Sequence, residues 1–251
     1  MLKTRVIPVV LFNGAVVVKS VRFENWRNIG HPVNVARVYN AREVDELIFL
    51  DIVASRNNRR PDVEMLRDIV DECFMPLTVG GGIRQIDDIK SIVQAGADKI
   101  SLNTAALDNP GLITEAANKF GSQCVVVSID VKRDERGDYR IYKYTSKQII
   151  ENDPFAWARQ LQEMGAGEIL LTSVDQDGTM ESYDVELIER MANAVSVPVI
   201  AAGGAGELDD FVKARQAGAS AVAAASIFHF TQHTPLEAKA HMKLHSIEVR
   251  L

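Results

Sequence analysis

The chain repeats itself, and no other feature restricts its fold as much. The segment PLTVGGGIRQIDDIKSIVQAGADKISLNTAAL, starting at Pro76, aligns with PVIAAGGAGELDDFVKARQAGASAVAAASIFHF, starting at Pro198, at a constant offset of 122 residues. Gly81 and Gly82 pair with Gly203 and Gly204, Asp87 and Asp88 with Asp209 and Asp210, and the run Gln94 to Ala97 with Gln216 to Ala219. The same offset brings Glu46 of ELIFLDI onto Glu168 of EILLTSV. A register held this long is the mark of duplication. Each copy has room for about four strand–helix units, so the expectation is one domain built from two similar halves, about 1–122 and 123–251.

Short apolar runs alternate with amphipathic stretches of helical length, the pattern of a parallel sheet with crossover helices. Strands are expected near 5–11, 46–51, 76–80, 99–103, 124–130, 168–173, 198–202 and 221–226. A length of 251 residues admits either one barrel or two small domains. Eight strands select the closed α/β barrel, the (βα)8 or TIM barrel, which runs to roughly 200–250 residues as a single unit. One helix is expected to start at Asn109-Pro110 and end at Gly121, and another to open at Asp153-Pro154 and end near Gly165. Two connections, 12–31 and 131–152, exceed the ~2–6 residues usual in such units, and the second carries a turn at Gly137. Both follow a strand and precede a helix, which places them at the C-terminal mouth of a barrel, where active-site loops gather.

Composition excludes several classes. The formal net charge is −6, which argues against nucleic acid as a general partner. Cys73 and Cys124, without any close pairing, are not expected to make a disulfide framework or a four-ligand zinc site, and a reducing cytoplasm fits them best. The apolar run Val6 to Phe12 after Lys3 and Arg5 has the look of a leader, but Asn13-Gly14 interrupts it, and it reads as a buried strand. No apolar run reaches the ~18 residues of a membrane helix, so no membrane partner is expected.

The repeat also carries chemistry. In each half a strand ends in Gly-Gly, a helix follows, and the next strand ends in small or hydroxyl residues: Asn103-Thr104 and, 122 later, Ala225-Ser226. Glycines at a strand end let backbone N–H groups approach an anion, and phosphate is the natural guest. Two such places imply a ligand with a phosphate at each end. A tight turn is the plainer reading of either Gly-Gly alone; DQDGT at 175–179 adds a further turn with Gly178.

Carboxylates at strand ends point into the mouth, and Asp51, Asp130 and Asp177 are the candidates for acid–base work, each with the alternative of capping the next helix. The histidines give no metal pattern: His241 and His245 are four apart on a helix but without a carboxylate partner, and read as surface residues, with His229 and His233 nearby. No cofactor is expected. At the strand starts stand Arg5, Glu46, Lys99 and Glu168, either a salt-bridge cluster closing the barrel floor or a functional gate.

VGGGIR, KISLNTAA, FGSQCVVVSID, GAGEILLTSVDQDGT, PVIAAGGAG and AAASIFHF together resemble HisF, the cyclase subunit of imidazole glycerol phosphate synthase, over nearly the whole chain. The resemblance implies a lyase-type barrel of histidine biosynthesis that docks a HisH-type glutaminase on its floor. It implies an ammonia channel from that partner through the barrel to a bis-phosphorylated ligand, within a glutamine amidotransferase complex. By motif, Gly82, Asn103 and Thr104 would hold one phosphate, and Asp177, Gly178, Gly204 and Ser226 the other. Lys19 matches the mobile-loop lysine, Asp51 the ribose contact, Asp130 a catalytic aspartate, the ring Arg5, Glu46, Lys99 and Glu168 the ammonia gate, and Asp98 a glutaminase contact.

The pattern breaks on strand one. The family ends that strand with a second catalytic aspartate, which the internal symmetry with Asp130 also asks for, and here Leu11 stands in its place. Leucine transfers no proton, and such an acid typically contributes 10²- to 10⁴-fold. Asn58, Arg59 and Arg60 make the second loop more basic than the family pattern, with a solvated surface loop as the plainer account. Sites kept and one acid lost resemble the diverged HisF-type paralogues of bacterial surface-sugar (lipopolysaccharide) biosynthesis, which supply ammonia for sugar amidination, a sugar amidotransferase being a further partner. The competing expectations are a histidine-pathway cyclase with its acid replaced from elsewhere, the two-phosphate isomerase HisA, and a non-catalytic scaffold that activates a glutaminase.

Overall fold

The computed structural model describes residues 3–251. In the first half the chain runs β1 (Arg5–Phe12), β2 (Val17–Val21), β3 (Glu24–Gly30), α1 (Pro32–Ala41), β4 (Leu47–Asp51), α2 (Val63–Val70), β5 (Leu77–Gly80), α3 (Ile86–Gln94), β6 (Lys99–Leu102), α4 (Thr104–Asp108) and α5 (Gly111–Phe120). The second half holds β7 (Val125–Arg133), β8 (Tyr139–Lys143), β9 (Gln148–Ile150), α6 (Pro154–Glu163), β10 (Glu168–Ser173), α7 (Val185–Ala194), β11 (Val199–Ala202), α8 (Leu208–Gln216), β12 (Ala221–Ala224), α9 (Ser226–Phe230) and α10 (Pro235–Leu244).

Eight of these strands are the expected ones, and they pair in parallel in the order β1-β4-β5-β6-β7-β10-β11-β12. The sheet closes because β12 pairs back onto β1, from Arg5↔Ala221 to Pro8↔Ala224. Strands from the two expected halves meet at β6–β7, from Ile100↔Val125 to Leu102↔Val127, as well as at β12–β1. The result is a (βα)8 barrel, not two small domains.

Strand alternation sorts the side chains. Ile7, Val9, Ile48, Val126, Leu170, Ile200, Ala221 and Ala223 fill the barrel interior, with Leu11 and Leu50 packed against them. Their neighbours Val6, Val10, Phe12, Leu47, Phe49, Val125 and Val127 face outward into the layer between sheet and helices. Such strands, buried on both faces, read as continuous apolar runs.

The helix starts follow their local chemistry. Asp153 accepts from the N–H groups of Phe155 and Ala156, both at 3.2 Å, with Pro154 in the first turn of α6. Gly121 ends α5 at φ +87°, a conformation that costs glycine nothing.

The two long connections contain strands where the sequence suggested loops. β2 pairs antiparallel with β1 and with β3, and its turn at Arg22 and Phe23 has φ of 52° and 63°, the type I′ pattern of two-residue hairpins. β7 runs on past 130 to Arg133 and pairs with β8, around a turn at Gly137, and β8 pairs with β9. Among the described residues no helix is long and apolar enough to cross a membrane.

The 122-residue repeat reappears in backbone and capping geometry. Asn103 has φ −118° and ψ −83°, and Ala225 has φ −133° and ψ −68°. The buried Asp88 accepts from the Arg84 and Gln85 N–H groups at 3.0 and 3.2 Å; the buried Asp210 accepts from those of Gly206 and Glu207, both at 3.0 Å. Each carboxylate satisfies the orphan donors at a helix start. Asp88→Ala and Asp210→Ala are each expected to cost about 1–3 kcal/mol, the loss of a cap plus stranded buried donors, measured by urea unfolding.

Candidate active site at the barrel mouth

Strand ends and loops line a cavity of about 170 Å³ that opens to solvent. Of the residues expected there, Leu11, Asp51, Gly82, Asn103, Thr104, Asp130, Asp177, Gly178, Gly204 and Ser226 all line it. Two of the glycines are required by packing. A Cβ on Gly204 (φ +112°) would stand 2.0 Å from the Ser182 carbonyl oxygen, and one on Gly178 (φ +72°) 2.0 Å from that of Ser20. The loops therefore touch backbone to backbone, which fixes the rim.

Asp130 is the buried acid of the mouth. Asn103 Nδ2 donates to its Oδ2 at 2.9 Å, and the same amide reaches the Ser128 carbonyl at 3.3 Å. Burial pushes the Asp130 carboxyl up to about 7, with the charge of Asp177 adding to the rise and Asn103 and Thr172 opposing it. Asp177 is raised to about 6 by burial, against the hydrogen bond from Ser20 (3.2 Å) and the charge of Lys19. A carboxyl that titrates near neutrality can both give and accept a proton. Asp51 differs: its Oδ1 accepts from the N–H groups of Val53 and Ala54 at 3.2 and 2.9 Å, and its Oδ2 takes the Arg59 guanidinium. It fixes the turn after β4, the capping alternative for a strand-end aspartate.

Lys19 does not line the cavity. It lies within β2, buried, and donates to the Val9 carbonyl. Burial lowers its ammonium to about 7 while Asp177 holds it up.

The hairpins supply residues the sequence reading missed. Phe23 and Trp26 from one, and Tyr144 and Thr145 from the other, line the cavity. The rings of Phe23 and Tyr144 meet edge to face at 5.6 Å. Arg22 ties the first hairpin to the 175–177 turn, its N–H donating to the Asp177 carbonyl at 2.8 Å and its Nε to that of Asp175 at 3.1 Å. The unusual length of the two connections was the signal for all of these.

At the opposite end of the barrel the four charged residues do meet. Arg5 contacts Glu46 at 2.6 Å and Glu168 at 2.9 Å, and Lys99 contacts the same two carboxylates at 2.9 and 3.2 Å. Thr78 donates to Glu46 Oε1 at 3.0 Å. Burial works against the charge on Arg5, and Glu168 and Glu46 more than offset it, so its guanidinium is held further into the charged form. Asp98 is exposed beside Lys99 and accepts from the Leu77 N–H at 2.8 Å.

The basic loop after β4 is not simply solvated. Arg59 pairs with Asp51, and Arg60 pairs with Asp88 while remaining largely exposed. His229 lies 3.0 Å from the Tyr39 hydroxyl, and burial, with Lys19 and Arg42, pushes its imidazole down to about 3, so it stays neutral.

The raised carboxyl of Asp130 has a stability consequence. From pH 4 to 7 the native state holds a proton that the unfolded chain has released, so folding stability falls with rising pH across that window and levels off above it. Asp130→Asn removes this term. The variant is expected to gain on the native chain by up to about 4 kcal/mol as pH rises from 4 to 7, read from denaturant midpoints across pH.

A family model described as "Histidine biosynthesis protein" matches residues 5–234, from the first barrel strand to the start of the last helix. The match spans the mouth, the floor ring and both copies of the repeat. The chain belongs to the histidine biosynthesis protein family, the barrel domain shared by HisF and HisA.

Proposed function

We propose that the protein is a HisF-type synthase subunit that takes ammonia from a HisH-type glutaminase at the barrel floor and uses it at the mouth on a bis-phosphorylated ligand. The ring of Arg5, Glu46, Lys99 and Glu168 carries this reading. It joins four charges of balanced sign at one end of an apolar barrel interior that leads to the buried acid Asp130. Ions are poorly served by that interior, whereas an uncharged molecule such as ammonia pays only the smaller cost of a desolvated polar group. Opening requires only that the Arg5 and Lys99 pairs part.

The two copies of the repeat support paired phosphate sites, Gly82, Asn103 and Thr104 on one side and Asp177, Gly178, Gly204 and Ser226 on the other, since all face one cavity. The matching backbone angles and caps support two half-barrels, about 1–122 and 123–251. In this reading Asp130 moves the proton at the mouth, Asp51 contacts the sugar, Lys19 swings in from the first hairpin, and Asp98 meets the glutaminase. The soluble, reducing interior of the cell suits the two free thiols.

Leu11 points the chemistry away from full cyclase turnover. It sits at the end of β1 in the apolar interior cluster and lines the cavity. The role we assign is ammonia delivery for amidination of a sugar.

Ammonia-driven turnover of the family's bis-phosphorylated substrate provides the test. Leu11→Asp is expected to raise cyclisation by roughly 10²- to 10⁴-fold over the native chain. Native turnover at the level of an intact HisF-type cyclase would overturn the loss of cyclase function and make the protein a histidine-pathway enzyme. With a HisH-type glutaminase bound, Lys99→Met is expected to lower glutamine-driven turnover while leaving turnover on added ammonia within about twofold, because only channelled ammonia crosses the floor. An equal fall in both rates would reduce the ring to a structural cluster.

A further inference from the structure

Away from the mouth, three metal-ligating side chains converge on the helical layer. His241 and His245 lie four apart at the end of α10, and Asp209 lies in the first turn of α8, which packs against α10. One ligand atom from each falls within 4.8 Å of the other two. The sequence offered the histidine pair no carboxylate, because the one that meets it is 32 positions upstream and reaches it only through the packing of the two helices.

Two details of the imidazoles point to a cation. His241 Nε2 is sealed from solvent and has no hydrogen-bond partner, and the nearest carboxylate oxygen, Asp209 Oδ1, is 3.8 Å away. A buried ring nitrogen without a partner is costly and calls for an explanation. His245 Nδ1 lies 3.0 Å from the backbone carbonyl of His241. A carbonyl only accepts, so Nδ1 carries the proton and Nε2 of the neutral ring keeps its lone pair. Metal-bound histidines are held in this way, with the far nitrogen donating to a carbonyl. The two rings stand side by side with centroids 4.6 Å apart. Lys213 approaches the other oxygen, Asp209 Oδ2, at 3.3 Å, which leaves Oδ1 to the histidines.

We infer that Asp209, His241 and His245 form a site for one divalent transition-metal ion of the zinc class. Two imidazole nitrogens and one carboxylate oxygen suit such an ion better than calcium or magnesium, and water would complete a tetrahedron. Zinc–ligand distances of roughly 2.0–2.2 Å require the three side chains to close up, which the exposed His245 and Asp209 are free to do. The ion would cross-link α8 and α10, the helices on either side of β12, next to the seam where β12 meets β1. It would therefore act on the closure of the barrel and not on the chemistry at its mouth.

Calorimetric titration of the metal-free full chain with Zn²⁺ tests this. The native protein is expected to take up one ion per chain, with a melting point rise of roughly 5–10 °C at a hundredfold excess over Kd. His245→Ala, at an exposed position that does not threaten folding, is expected to weaken binding at least tenfold, as is Asp209→Asn, by about the factor that loss of even an outer partner brings. Cys73→Ser should bind like the native chain. Absence of stoichiometric uptake, undiminished affinity in His245→Ala, or a loss that follows Cys73→Ser would each overturn the site.

Discussion

A closed ring of parallel strands has no edge and no solvent face, and everything else in this molecule follows from that demand. Each barrel strand must be apolar on both sides. That requirement drives the near-continuous hydrophobic runs of β1, β7 and β10, and it tolerates charge only where a strand begins or ends. Arg5, Lys99 and Glu168 are first residues of strands and Glu46 directly precedes β4, while Asp51 is a last residue. Asp130 is the exception that shows the rule: it lies within the long β7, and its carboxyl is held toward the neutral form by the surroundings that make the barrel stable.

The mouth applies one cause to several groups. Hairpins carrying Phe23, Trp26 and Tyr144 stand over the cavity, and the groups beneath lose their water. Desolvation disfavours whichever form is charged, so the carboxyls of Asp130 and Asp177 rise while the Lys19 ammonium falls. The three approach a common range from opposite directions. The rim that keeps them dry packs backbone to backbone at Gly178 and Gly204, where no side chain fits.

Much of this was legible in the sequence. The eight strands could be read because burial on both faces leaves a run that no surface segment imitates, and the duplication could be read because both halves obey the same geometry. The hairpins were harder to see. Val16, Val17, Val18 and Val21 carried a β-branched signal, but β3, with Glu24, Asn25, Trp26 and Arg27, is exposed and polar, and its pairing shows only when β2 is in place. The long-range polar partners were beyond a linear reading. Nothing in the sequence links Ser20 to Asp177 or Asp209 to His241, because each pair is made by the packing of separate segments. Lys19, the match to the family's mobile-loop lysine, lies in β2 and donates to the Val9 carbonyl.

The floor ring has a consequence for how such a chain can vary. Two cations share two anions, so no member has a private partner and the sum of charge is zero. Loss of any one charge leaves an excess next to the apolar interior, and removing one partner of a buried pair is far costlier than replacing the pair. The four positions therefore form a block that changes by compensated steps: a chain that keeps three of the charges is less stable than one that keeps all four or none, even where it still folds and works. Arg5 and Lys99 come from the first half and Glu168 from the second, so the ring also penalises any mismatch between the two copies of the repeat, and binds their histories together.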